Sequence, residues 1–111
     1  MTACAQVTTT LPTESDAADL ASTLIGERLA ACVQVLGPVK STYRWQGAVE
    51  VSTEWICLAK TAEARVPALL ARIRELHAYR LPEIIATSIG AGDPGYLEWL
   101  RSETTPEPER T

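Results

Sequence analysis

Residues 3–10 form an unbroken run of small and β-favouring side chains free of glycine and proline, the pattern of a short central strand covered on both faces. The run stops at Leu11-Pro12, where Thr13 followed by Asp16 spells a capping box that opens a helix. Ala17, Leu20, Ala21, Leu24 and Ile25 then recur at helical spacing while Glu14, Asp19 and Glu27 take the opposite face, which predicts a helix to about Leu29. Residues 31–36 return to β character. Gly37-Pro38 interrupts them, and Val39, Ser41, Tyr43 and Trp45 then alternate with Lys40, Thr42, Arg44 and Gln46, so the second strand is long and kinked. Gln46-Gly47 offers the positive φ of a tight turn, and Val49, Val51, Thr53, Trp55, Cys57 and Ala59 alternate beyond it, which closes a long hairpin.

The tip of that hairpin carries Glu50, Ser52 and Glu54 on one face, whereas its base carries Ile56 and Leu58 there. Burial therefore changes along its length, and the projecting tip is expected to act as an arm that grips a neighbouring subunit. Val66, Leu69, Leu70, Ile73 and Leu76 define a second amphipathic helix, with Pro67 in its first turn, His77 near its end and Pro82 forbidding continuation. Residues 83–89 read as a fourth strand, and Asp93-Pro94 as the cap and first position of a short last helix with Leu97 and Leu100 inward. Residues 1–103 form one domain on this reading, and the polar, proline-containing stretch 104–111 is expected to be a disordered tail.

The order β-α-β-β-α-β is the split βαβ, ferredoxin-like arrangement of an α+β domain, in which an antiparallel sheet takes two helices on one face. Its other face must be covered by the last helix or by a symmetric partner.

Composition narrows the function classes. With 111 residues there is room for one core, and a formal charge of −4 repels phosphate backbones and anionic headgroups, so neither nucleic acid nor membrane is an expected partner. Arg65, Arg72, Arg74 and Arg80 cluster, but Glu63, Glu75 and Glu83 interleave with them as on a solvated helix face. The first basic residue is Arg28 and no apolar run approaches membrane-spanning length, so a cytoplasmic protein is expected, with Cys4, Cys32 and Cys57 as reduced thiols.

Little in the chain spells chemistry. Residues 90–95 match GxGxxG between a strand and a helix, but too few residues follow for a second βα unit, and Asp93 opposes a phosphate, so a turn is the better reading. His77 is the single histidine, and one chain cannot build an imidazole-rich metal site from it. Copies of His77 or Cys32 in an oligomer could act together, and a soft thiolate would suit monovalent copper. No nucleophile elbow, phosphate loop or catalytic carboxylate pair is present, so the protein is not expected to be an enzyme.

The segments Glu27-Arg28-Leu29-Ala30-Ala31-Cys32-Val33, Tyr43-Arg44-Trp45-Gln46-Gly47, Lys60-Thr61, His77-Ala78-Tyr79, Pro82-Glu83 and Tyr96-Leu97-Glu98-Trp99 together closely resemble the CutA family, in order and spacing, from about Val7 to Leu100. The resemblance implies a ferredoxin-like subunit in a tight homotrimer whose long hairpins extend the sheets of neighbours. It also implies a role in divalent metal tolerance, copper especially, by binding or regulation, with no required cofactor and with His77 and Cys32 as the metal contacts. Copper-binding members carry a cysteine near the end of the first strand, where this chain has Thr9. Some carry paired histidines and a following proline where Leu76-His77 and Ala78 stand here. The alternative is a small-molecule sensor like the P-II signalling trimers, with Tyr43, Trp45, Lys60, His77 and Tyr79 holding an anionic ligand in a cleft between subunits.

Overall fold

The structure, a computed structural model, describes residues 3–106. Its elements are β1 (Cys4–Leu11), α1 (Glu14–Gly26), β2 (Cys32–Trp45), β3 (Ala48–Ala62), α2 (Val66–Leu76), β4 (Ile84–Ile89) and α3 (Pro94–Thr104), with a single 3-10 turn at Glu63–Arg65. The four strands make one antiparallel sheet in the order β2-β3-β1-β4, which is the ferredoxin-like topology expected from the element order.

Side-chain alternation sorts the sheet into two faces. Val7 and Leu11 of β1, with Cys57 and Ala59 of β3, pack against Ala17, Leu20 and Leu24 of α1 and Leu69 and Ile73 of α2, forming the core. The other face is covered at one end by α3. There the Cys4 thiol donates to the Leu97 carbonyl at 3.7 Å, and the Ala62 N–H donates to the Thr104 hydroxyl at 3.4 Å. Away from α3 this face stays open, leaving Leu36 at 49% and Ile85 at 53% exposure.

Local signals explain the element ends. The Thr13 hydroxyl accepts from the Asp16 N–H at 3.0 Å and starts α1. That helix ends at Gly26, three residues short of the expected end, because Arg28 adopts φ 59° and the N–H groups of Leu29 and Ala30 return to the Leu24 carbonyl. Leu29 looks helical by its spacing because it reaches the same core after the turn. The Arg28 guanidinium donates to the carbonyls of Ser102 and Thr105, at 3.1 and 3.0 Å, tying this turn to the end of α3.

Gln46 and Gly47 have φ of 48° and 82°, the paired positive values of a type I′ turn, and they set β2 and β3 in register from Trp45↔Ala48 outward. The kink lies where expected, as a register shift between Leu36 and Val39. Gly37 there lies under the Trp55 ring, and a Cβ at this position would come within 2.3 Å of it. The arm makes the chain long for its size. Its extents are 50 × 34 × 22 Å and its radius of gyration is 15.0 Å, against about 13 Å for a compact domain of this length.

The Asp93 carboxylate caps α3 by accepting from the Tyr96 N–H at 3.0 Å, so residues 90–93 serve as a turn, as the sequence suggests. The boundary drawn after Glu103 is too early. Thr104 is the last residue of α3, fully buried, with its hydroxyl donating to the Leu100 carbonyl at 2.7 Å. Residues 107–111 of the expected tail lie outside the described residues.

Candidate functional site

A cleft of about 740 Å³ opens between the hairpin arm and the segment that follows α2, within the usual range for small-molecule sites. Tyr43, Trp45, Ser41 and Glu54 line it from the arm, and Tyr79, Arg80, Leu81, Pro82 and Glu83 from the segment leading into β4. The hairpin register places Ser41, Tyr43 and Trp45 of β2 on the same face as Ser52 and Glu54 of β3, and Tyr43 and Ser52 share a hydroxyl–hydroxyl hydrogen bond of 2.8 Å. The helix ends at Leu76, where His77 turns extended, and residues 77–83 carry the chain back across this face.

Glu54 is the residue the pattern of the sequence misplaces most. Its alternation with Ser52 and Glu50 suggests a solvated tip, yet it is 7% exposed, and the Tyr79 hydroxyl donates to its Oε2 at 3.0 Å. The one signal for this contact in the sequence is Pro82, which bars a helix from running through residues 79–83, although the helix already ends at Leu76, where His77 turns extended. Burial raises the Tyr79 phenol most, and the bond to Glu54 raises it further, pushing it up to about 12 from its ordinary 10.0. Burial alone pushes the Cys57 thiol up to about 11 from 9.0. Both groups keep their protons in the folded chain after the unfolded chain has released them. The stability they confer is therefore complete below their ordinary values and lost as pH rises through their folded ones. Stability is expected to fall from about pH 9 to about pH 12, and Tyr79→Phe to remove the upper part of the decline. Denaturant titrations at stepped alkaline pH check this, and identical slopes in both proteins would refute it.

His77 caps α2 beside the cleft but does not face into it. Its Nδ1 accepts the Tyr79 N–H at 3.1 Å, so the proton sits on Nε2, which donates to the Thr10 carbonyl at 2.8 Å. The backbone thus holds both ring nitrogens. The ring lies 4.9 Å from that of Tyr79 and borders a separate cavity of about 210 Å³ with Leu76, Ala78, Asp16 and Asp19.

Of the five residues expected in a ligand cleft, Tyr43, Trp45 and Tyr79 meet. Lys60 does not join them, because it lies six residues along β3 from Glu54, about 20 Å away, where its ammonium donates to Gln34. Cys32 pairs in register with Lys60 and lies beside Tyr96 at the far end of the sheet. Lys60 is also opposite Gln6 on β1, four residues or about 13 Å from Thr10, the partner of His77, so one chain does not bring Cys32 and His77 to a shared ion. Thr9 is 1% exposed on the core face, opposite Cys57, with no hydrogen-bond partner for its hydroxyl. Among the described residues no group of three or more His, Cys, Asp or Glu side chains is placed to hold a metal ion, and no helix is long and apolar enough to cross a membrane.

Comparison with known proteins gives the lineage. The family model described as CutA1 divalent ion tolerance protein matches residues 5–103. The divalent-cation tolerance protein CutA of Thermus thermophilus is 44% identical over 95 residues, which are 86% of this chain and 92% of that protein. The chloroplastic CutA 1 of Oryza sativa is 38% identical over 95 residues, and the chain spans about half the length of such plant and animal relatives. The crystal structure of CutA from Xylella fastidiosa superposes with a TM-score of 0.89 at 41% identity, covering 92% of this chain and 98% of that one. Hairpin arm, split βαβ sheet and matched span agree: the chain belongs to the CutA1 divalent ion tolerance family.

Proposed function

We propose that the protein acts in divalent-cation tolerance as a homotrimer, by binding or regulation and not by catalysis. The observation that carries this reading is the β2–β3 arm. Its tip stands clear of the body with Val49 and Val51 at 63% and 60% exposure, while β2 and β4 leave both edges of the sheet open and Leu36 and Ile85 uncovered. Unpaired edges and exposed apolar strands invite another chain. Three copies around an axis, each arm laid along a neighbour, would close the edges and bury the apolar residues together.

The names of its relatives supply the physiological class, and copper or another divalent cation is the proposed effector. Its ligands would come from more than one chain, since Cys32 and His77 are far apart within one. Cys32, half-buried and the least enclosed of the three thiols, is the proposed soft contact. The engagement of both His77 nitrogens by backbone argues against a free imidazole base and supports a role without catalysis. Light scattering at high and low dilution should give the mass of three chains, and copper titration should show affinity that falls in Cys32→Ser. A folded monomer at all dilutions would remove the assembly, and an unchanged copper isotherm in Cys32→Ser would remove the metal contact.

A second reading, a small-molecule sensor in the manner of P-II trimers, is favoured by the cleft itself, which places a buried carboxylate among aromatic rings.

A further inference from the structure

The cleft has a charge on its floor that the protein leaves nearly unanswered. An ionised carboxylate offers about four acceptor positions, and burying one without a countercharge is costly. At Glu54 the Tyr79 hydroxyl on Oε2 is the one donor found among the described residues, and no ion pair reaches the carboxylate. Arg80 borders the cleft but is exposed and forms no ion pair with Glu54, and Glu83 adds a second acid at the same rim.

The lining decides which cation would fit. Hard divalent ions want several oxygen ligands converging at short range. Here one carboxylate lies deep, the other acid is at the exposed rim, and Tyr79 holds its proton to high pH and acts as a donor. The Tyr79 hydroxyl bonds Glu54 and the Tyr43 hydroxyl bonds Ser52, the neighbouring residue of β3 on that face, so two phenol rings lie on the carboxylate's side of the cleft. Such rings hold ammonium and guanidinium groups by cation–π attraction, while Trp45, opposite Ala48, lines the cleft further toward the arm tip. An anionic occupant, which the sequence suggests through Lys60, would find Lys60 of the same chain about 20 Å along β3. It would meet the acids Glu54 and Glu83 in the cleft against the single exposed cation Arg80 among its lining residues.

We propose that the cleft binds an organic cation, an alkylammonium or guanidinium group, with Glu54 as its countercharge and the rings of Tyr43 and Tyr79 beside it. This deepens the sensor reading and rests on the cleft being a ligand site. The group enters between the arm and residues 79–83, and its charge meets the free oxygen of Glu54. The bond from Tyr79 fixes the carboxylate in place, so the acceptor is oriented before the ligand arrives.

The experiment is calorimetric titration of the assembled full-length protein with butylammonium and tetramethylammonium, against butyrate and butanol as anionic and neutral controls. The ammonium ions are expected to bind and the controls to fail. Glu54→Gln keeps an acceptor for Tyr79 and should weaken ammonium binding at least about tenfold, with the melting temperature and assembled mass confirming that the variant is intact. Tyr43→Ala should weaken it as well. Ammonium binding that survives Glu54→Gln overturns the proposal by placing the cation elsewhere. Butyrate binding with ammonium exclusion overturns the charge class while leaving the cleft as a ligand site. Silence from every probe in a folded, assembled protein ends both this proposal and the sensor reading.

Discussion

Aspartates in place of Val49 and Val51 are expected to leave each chain folded and to break the proposed trimer into monomers. Neither valine supports its own subunit, being 63% and 60% exposed on the arm, where Val49 stands opposite Arg44 and Val51 opposite Thr42. If a neighbour covers them, each contributes about 1.5–3 kcal/mol of apolar burial per chain, and replacing that with a carboxylate adds the cost of desolvating a charge. Around a threefold axis the double substitution is made three times over. The measurement is mass by light scattering, which should fall from three chains to one while the far-ultraviolet circular dichroism of the subunit persists. Retention of the full mass would show that the arm tip lies outside the interface.

Leu24→Ala is expected to destabilise the subunit itself by about 3 kcal/mol, within the range of about 2–5 for emptying a fully buried leucine site. Leu24 has no exposed surface, is held on α1 against the sheet, and its own carbonyl receives the Leu29 and Ala30 N–H groups. The surrounding core includes Leu20 of the same helix with Val7 of β1 and Leu69 and Ile73 of α2, two elements anchored elsewhere, so collapse into the void is restricted. For a domain of this size the loss lowers the melting temperature by roughly 12–20 °C. The proposed assembly would make melting depend on protein concentration, so variant and parent must be compared at equal chain concentration. A change below about 1 kcal/mol would mean that α1 settles into the cavity.

These two substitutions divide what sequence reasoning reaches from what it does not. Leu24 belongs to a helical stripe with Ala17, Leu20 and Ala21, and local periodicity alone assigns it to the core. The Gln46-Gly47 turn and the Asp93-Pro94 cap are equally local, because each needs a backbone geometry that few residue pairs supply. The cleft was legible only in part. Alternation along the arm places Tyr43, Trp45 and Glu54 on one face, but it cannot show that residues 77–83 fold across that face and enclose it. The contact between Tyr79 and Glu54 joins segments 25 residues apart through a loop, and no periodicity encodes a loop path. Within one chain Lys60 stands apart from this cleft, and a strand-end charge gives no hint of how far along the ladder the other elements converge. His77 was legible as a helix-end residue. The capture of both its nitrogens by Thr10 and Tyr79 depends on β1 lying beside the end of α2, which sequence spacing does not disclose.

The position of β1 bears on how the molecule is made. The first of the four strands in chain order lies between β3 and β4, with Cys4–Leu11 registered against residues 55–62 on one side and, through Thr9, against residues 84–89 on the other. Neither ladder is local, and contacts of such sequence separation delay folding. During synthesis β1 therefore stays unpaired until β3 and β4, more than 40 residues later in the chain, have been made, so the sheet closes around a strand that has long been waiting.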